Sequence, residues 1–310
     1  MLEFAELVPE GALLVLNDTR VRRARVFGKR RPGGGRVELL FLEQGVSCAD
    51  GRECWSALGR ANKPLSAGAV VEAPGMVVEV VAQGEGGVLT LHVAADTSVE
   101  SLLEREGHVP IPPYLERDDD ADDRDRYQTV YARRTSSVAA PTAGLHLTEA
   151  LFERLAERGI KTARLELSVG IGTFRPVSVD DLDAHPMHVE AYEIPAETAE
   201  AVRDARAAQR PVVAIGTTVV RALESAADPG DEGTVRPGSA TTRLLIQPGY
   251  RFRVVDALLT NFHQPKSTLL ALVAAFAGYD ATLSAYREAL ARGYRFLSYG
   301  DAMWIPRRGE

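Results

Sequence analysis

One change of period along this chain constrains its fold more than any single residue does. Between positions 36 and 93 short β-branched runs recur, at 37–42, 70–71, 76–81 and 88–93, divided by turns rich in Gly, Pro and Asn. Such a pattern builds a small antiparallel barrel or sandwich. After Ala139 strand-like and helix-like runs alternate instead. Helices are expected over 149–158, 196–209, 219–226, 269–276 and 282–292. Strands are expected over 162–169, 212–215, 254–259 and 295–298. That alternation builds α/β layers around a parallel or mixed sheet. A short apolar run at 12–16 adds one more buried strand far upstream. The expected fold class is α/β: a barrel-like α/β main domain with a mixed sheet, plus an inserted small antiparallel β-barrel. The main domain takes 1–21 and 133–310, and the insert takes 22–132.

Composition narrows the class further. The chain has 310 residues, 45% hydrophobic and 25% charged, enough to bury a real core. Its longest apolar run, at 269–277, is too short to span a bilayer. Positions 1–10 carry acidic residues and no basic segment, unlike a secretory signal. No membrane partner and a cytoplasmic location are therefore expected. The spacing of the two cysteines, Cys48 and Cys54, fits neither a disulfide framework nor a zinc knuckle. A reducing compartment is the simplest inference. A net charge of −7 argues against a chain coated in nucleic acid, but allows a local basic groove.

In α/β sheets ligands bind beyond the carboxyl ends of strands. Four polar clusters fall at such ends: 17–20, 170–175, 216–218 and 260–263. A fifth, at 139–148, holds Pro141, Gly144 and His146 and precedes the helix expected at 149, with Thr148 as its N-cap. Gly170 and Gly172 begin a dinucleotide fingerprint, but Arg175 stands at the third glycine position and the match fails. That loop reads better as backbone amides approaching a ligand beside the Thr173 hydroxyl. His185, His188 and Glu190 could hold a metal or face one cleft; two surface polar residues at a strand edge would look the same. No metal site is expected. His263 can titrate near neutral pH or be a hydrogen-bonded structural histidine. Ser267 and Thr268 can bind an anion at a helix start or merely cap it. Arg22, Arg23, Arg25, Lys29, Arg30 and Arg31 form a basic run that is either a solvated surface or a phosphate-contacting edge. The acidic stretch 118–125 reads as a solvated loop.

Taken in order, several stretches resemble one family. They are Asn17-Asp18-Thr19-Arg20-Val21, Gly107-His108-Val109-Pro110-Ile111-Pro112-Pro113-Tyr114 and Tyr127-Gln128-Thr129-Val130-Tyr131. Ala140-Pro141-Thr142-Ala143-Gly144-Leu145-His146, Val169-Gly170-Ile171-Gly172-Thr173-Phe174 and Met187-His188-Val189-Glu190 continue the series. Ala214-Ile215-Gly216-Thr217-Thr218, Thr260-Asn261-Phe262-His263 and Tyr299-Gly300-Asp301-Ala302-Met303 complete it. The ordered set resembles the S-adenosylmethionine:tRNA ribosyltransferase-isomerases of queuosine biosynthesis. Members usually carry several dozen residues before the first strand, so contacts from such a segment are unaccounted for here. Arg22-Arg23 replaces an apolar-Pro pair, and Gln264 replaces a Leu.

The resemblance implies that S-adenosylmethionine, as co-substrate, donates its ribosyl part to 7-aminomethyl-7-deazaguanine in a tRNA anticodon. Epoxyqueuosine-tRNA, adenine and methionine would result, with no metal or redox cofactor. His146, His188 and His263 would then be the acid–base candidates, with Asp301 orienting one of them or binding ribose. Asn17, Asp18, Thr19, Arg20, Thr142, Gly144, Gly170, Gly172, Thr173, Glu190, Gly216, Thr217, Thr218, Asn261, Ser267 and Thr268 would bind substrate. The basic run would face tRNA, with an affinity that falls as salt rises. A monomer is expected. Two other classes fit the same cofactor or the same RNA: a methyltransferase, and an inactive tRNA-binding homologue.

Overall fold

The computed structural model describes residues 1–45, 51–168, 182–184 and 187–306. The chain opens with helix α1 (Phe4–Leu7) and strands β1 (Leu13–Asn17) and β2 (Thr19–Val21). Six strands follow: β3 (Arg25–Arg31), β4 (Arg36–Gln44), β5 (Glu53–Ala61), β6 (Val70–Ala73), β7 (Met76–Gln83) and β8 (Val88–Ala95). Helices α2 (Val99–Glu106) and α3 (Asp123–Arg126) lead to β9 (Arg134–Ser137), which pairs with β2. The rest runs α4 (Glu149–Glu157), β10 (Lys161–Leu167), β11 (Glu190–Ile194), α5 (Ala196–Ala207), β12 (Val212–Ile215), α6 (Thr217–Ser225) and β13 (Gly238–Thr242). It closes with β14 (Ala257–Asn261), α7 (Thr268–Ala277), α8 (Tyr279–Ala291) and β15 (Ala302–Pro306). Two compact units result: Met1–Arg20 with Asp125–Glu310, and Val21–Arg124.

The second unit is a closed antiparallel barrel in the order β3-β4-β5-β8-β7-β6. Side chains alternate across each strand, so Val37, Leu39 and Phe41 on β4 and Leu89, Leu91 and Val93 on β8 are buried. The charge run hides a barrel strand. On β3 Val26 is buried while Lys29 and Arg31 are exposed. The acidic stretch is not simply solvated, which corrects that expectation. Asp123 is 2% exposed and takes a two-point contact from Arg117, while Asp119 accepts from His108 Nδ1 and the Val109 amide. Cys54 on β5 is disulfide-bonded, so the spacing argument for a reducing compartment loses its support. Cys48 lies outside the described residues.

The first unit is an open seven-stranded mixed sheet, β13-β11-β10-β1-β12-β14-β15. The expected α/β class with a mixed sheet and a small antiparallel barrel is what the chain adopts, although the α/β sheet itself does not close. Strands β10, β1, β12 and β14 are mutually parallel; β11 and β15 run antiparallel to them, and β13 pairs antiparallel with β11. All five residues of β1 are buried, because both sheet faces are covered. Leu13 and Val15 face a core with Val202 of α5 and Val219 and Leu223 of α6. Leu14 and Leu16 face the other core, with Phe4, Leu151 and Leu155. The strand expected at 295–298 is irregular, with Leu297 at φ 72°; the strand that pairs with β14 is 302–306. The stretch 127–131, whose Tyr-Gln-Thr-Val-Tyr sequence suggests a return to the sheet, forms turns instead. Among the described residues no single helix is long and apolar enough to cross a membrane.

Helix α6 explains a charged pair inside an apolar run. Residues 217–224 are all buried. Arg221 forms an ion pair with Glu190 of β11. The Glu224 carboxylate accepts from the amides of Arg253, Val254 and Val255 and from the Tyr250 hydroxyl. It thereby fixes the approach to β14. Glu224→Ala strands three amides and is expected to lower unfolding free energy by about 3 kcal/mol in urea titration; a loss under about 0.5 kcal/mol would refute this role.

Candidate active site

The carboxyl ends of the parallel strands gather one polar edge. Asn17 ends β1, Gly216 follows β12, and Asn261 ends β14. Asp301 immediately precedes β15, which runs back from that edge opposite Asn261. Of the sequence-predicted residues, Thr142, His146, Asn261 and Asp301 are brought together most closely.

Asn261 is the centre of that group, and it is 2% exposed. Its carbonyl oxygen accepts the Thr142 hydroxyl at 3.1 Å. Its amide nitrogen lies 2.8 Å from His146 Nε2 and donates to the Leu297 carbonyl at 3.2 Å. Thr142 and His146 lie on one turn of 3-10 helix, Thr142–His146, ahead of α4. Thr148 caps α4 by accepting from the Leu151 amide, as expected. Burial pushes the His146 imidazole below its ordinary pKa, and the Asp301 carboxylate pulls it back up. Asp301 is itself held by the Arg295 amide at 2.8 Å.

Two glycines shape the same place. A Cβ on Gly144 would lie 2.0 Å from the Tyr131 hydroxyl, so only glycine fits there. Gly216 sits at φ 98°, a conformation L side chains rarely adopt, and its Cβ position is 3.4 Å from Ala143. It begins α6 with no side-chain cap, leaving first-turn amides beside the buried Thr217 and Thr218. The 139–148 turn and the β12–α6 turn therefore touch.

Other predicted residues have different surroundings. Asn17 is fully buried; its carbonyl accepts from Leu167 and Thr19, and its amide donates to Leu167. It clamps the end of β10. Asp18 is 8% exposed, and burial raises its carboxyl pKa against the lowering effect of Arg164, Arg134 and Arg133. Thr19 is buried with its hydroxyl unpartnered, and Arg20 is exposed. Ser267 is a helix cap: it accepts from Leu270 and donates to Gln264, with Thr268 beginning α7 behind it. Glu190 belongs to the Arg221 ion pair, and His188 is exposed. Gly170, Gly172, Thr173 and His185 lie outside the described residues.

His263 is a hydrogen-bonded histidine of the protein interior. Its Nε2 meets the Thr260 hydroxyl at 2.9 Å, and its amide donates to the Tyr286 hydroxyl at 2.7 Å. Burial lowers its pKa to about 4 and raises that of Tyr286 to about 12.

The basic run is largely occupied within the barrel unit. Arg22 bonds the Leu42 carbonyl, pairs with Glu100 and lies over Trp55. Arg23 bonds the Glu104 carbonyl, Arg25 pairs with Glu38, Arg30 bonds the Pro64 carbonyl and Arg31 pairs with Glu72. Lys29 is exposed. Sequence reasoning missed Arg221, Glu224 and Tyr131. An Arg and a Glu three apart inside the otherwise apolar helical run 219–226 were the available signal for the first two.

A mixed α/β sheet with its polar ligand edge at the strand ends, and a β-barrel inserted in the same chain, defines a two-unit α/β enzyme architecture. The queuosine biosynthesis protein family matches residues 1–305, and the chain belongs to that family. It is 56% identical to the S-adenosylmethionine:tRNA ribosyltransferase-isomerase of Sorangium cellulosum, over 96% of this chain and 85% of that one. It is 50% identical to the protein so named in Anaeromyxobacter dehalogenans, over 99% and 87%. A crystal structure of S-adenosylmethionine tRNA ribosyltransferase from Thermotoga maritima is 32% identical, covers 98% of this chain and 86% of its own, and superposes with a TM-score of 0.50.

The lowered pKa of His263 makes a stability prediction. Below pH 6.5 the unfolded chain binds a proton that the native state refuses until about pH 4. Stability contributed by the neutral form is thus complete above pH 6.5 and falls by up to about 3 kcal/mol as pH drops to 4. His263→Gln should flatten this dependence in chemical denaturation measured from pH 7 to 4; an unchanged slope would contradict the assignment.

Proposed function

We propose that the chain is an S-adenosylmethionine:tRNA ribosyltransferase-isomerase. It transfers and isomerises the ribosyl part of S-adenosylmethionine onto 7-aminomethyl-7-deazaguanine in tRNA. Epoxyqueuosine-tRNA forms, and adenine and methionine leave. The observation that carries this reading is 56% identity over 96% of the chain to a protein of that name. The polar edge of the α/β sheet supports it independently, since it combines backbone amides, threonine hydroxyls, an imidazole and carboxylates.

The chemistry asks for three things at that edge. A base removes a C5′ proton, which the adjacent sulfonium acidifies. A donor stabilises adenine as it departs. A water-poor pocket protects the ylide that forms in between. Asp18 has the properties of the base: it is buried, raised in pKa, and lies at the end of the central strand. His146 supplies the donor. Asn261 acts on the imidazole rather than on substrate, and Thr142 holds the Asn261 amide. S-adenosylmethionine is a co-substrate here, and proton transfers with polar bond changes require no metal or redox cofactor. A tRNA substrate is consistent with work in the cytoplasm.

A single incubation tests the reading. With S-adenosylmethionine and tRNA bearing 7-aminomethyl-7-deazaguanine, chromatography should show adenine and methionine in equal amounts. S-adenosylhomocysteine would make the chain a methyltransferase, and tRNA binding without turnover would make it an inactive homologue. Asp18→Asn should slow adenine release by about 10²–10⁴-fold, the usual worth of a positioned base; wild-type rates would remove Asp18 from that role.

A further inference from the structure

The roles of the Asn261 amide can be assigned from geometry alone. A carbonyl oxygen only accepts, so the atom 3.2 Å from the Leu297 carbonyl must be the amide nitrogen. The Thr142 hydroxyl then donates to the amide oxygen. The same nitrogen sends its second hydrogen to His146 Nε2 at 2.8 Å. An imidazole nitrogen that accepts carries no proton, so the His146 proton sits on Nδ1. No hydrogen bond to Nδ1 forms among the described residues, so on this half-buried ring the Nδ1–H stays open to a ligand at the polar edge.

We propose that Asn261 is a positioning residue that fixes His146 as the neutral Nδ1–H tautomer. His146 thereby presents a hydrogen-bond donor to a substrate atom that gains negative charge, and does not shuttle protons. The inference rests on the transferase reading for the identity of that atom, a ring nitrogen of the departing adenine. Neutral imidazole is a very weak acid, but it is an effective electrophilic donor when its orientation is fixed beforehand. Asn261 has that fixity: it is locked by β14–β15 pairing, by Thr142 and by Leu297. The charged groups bearing on the ring are Asp301, which favours the imidazolium, and the Met1 amine, which opposes it. Burial outweighs Asp301 and keeps the ring neutral at pH 7.

Nitrogen-15 spectra of the full chain test the tautomer without any reaction. At pH 7 the His146 signals should show Nδ1 protonated and Nε2 bare. In Asn261→Asp the carboxylate accepts from Nε2, so Nε2 should become protonated. A protonated Nε2 in the wild-type chain, or a bare one in Asn261→Asp, overturns the assignment. Activity tests the donor role. His146→Asn places an amide N–H where Nδ1 stands, and should retain adenine release within about tenfold. His146→Gln places it where Nε2 stands, and should lose about 10²-fold, the worth of one preorganised donor. Both variants should melt like the wild type. Equal losses in the two would overturn the donor role. Should the wild-type chain release no adenine, the transferase reading fails while the spectra still decide the tautomer.

Discussion

The register of β1 between its parallel neighbours is the constraint on which the polar edge depends. Leu13 through Asn17 are buried on both faces, and each residue is matched to β10 on one side. A slip of one position would exchange the Leu14 and Leu16 core for the Leu13 and Val15 core. It would also pull Asn17 away from both backbone groups of Leu167. Asp18, next in the chain, would leave its place at the strand end. Hydrophobic burial therefore sets the position of the groups that do chemistry, at an energetic scale of several kcal/mol per buried leucine.

From that edge, order spreads by polar contacts between distant segments. Asn17 holds the end of β10, Asn261 holds the 142–146 turn, and Glu224 holds the start of β14. Each side chain is buried and uses most of its hydrogen-bonding capacity on something far away in sequence. Such satisfied networks fix one arrangement because partial satisfaction is costly.

The fold was legible wherever apolar residues kept a clean period. Helix α4 and strand β12 stand where the pattern put them, and the barrel and the α/β layers were separated by their periods alone. The misses share a cause. Strands β11 and β13 pair at the edge of the sheet, and β13 is a nearly exposed Gly-Ser-Ala-Thr-Thr with no apolar run. Strand β3 hides under its arginines. Phe296 and Leu297 imitate a strand but pack against Phe262 from an irregular loop. Of the candidate site, the placement of 17–20, 216–218 and 260–263 at strand ends was legible. The proton on His146 was not, since it is set by a residue 115 positions away. The carboxylates that pair with the basic run, Glu38, Glu72 and Glu100, are scattered along the sequence, so spacing alone did not reveal those ion pairs.

The Glu224 contact has one more consequence. Three successive amides, at 253, 254 and 255, converge on one carboxylate in the manner of an anion-binding nest. The protein thus carries its own ligand for that loop, at an effective concentration fixed by the covalent chain rather than by the medium. A small free carboxylate could stand in for it only at far higher concentration, so the loop keeps its shape whatever anions surround the molecule.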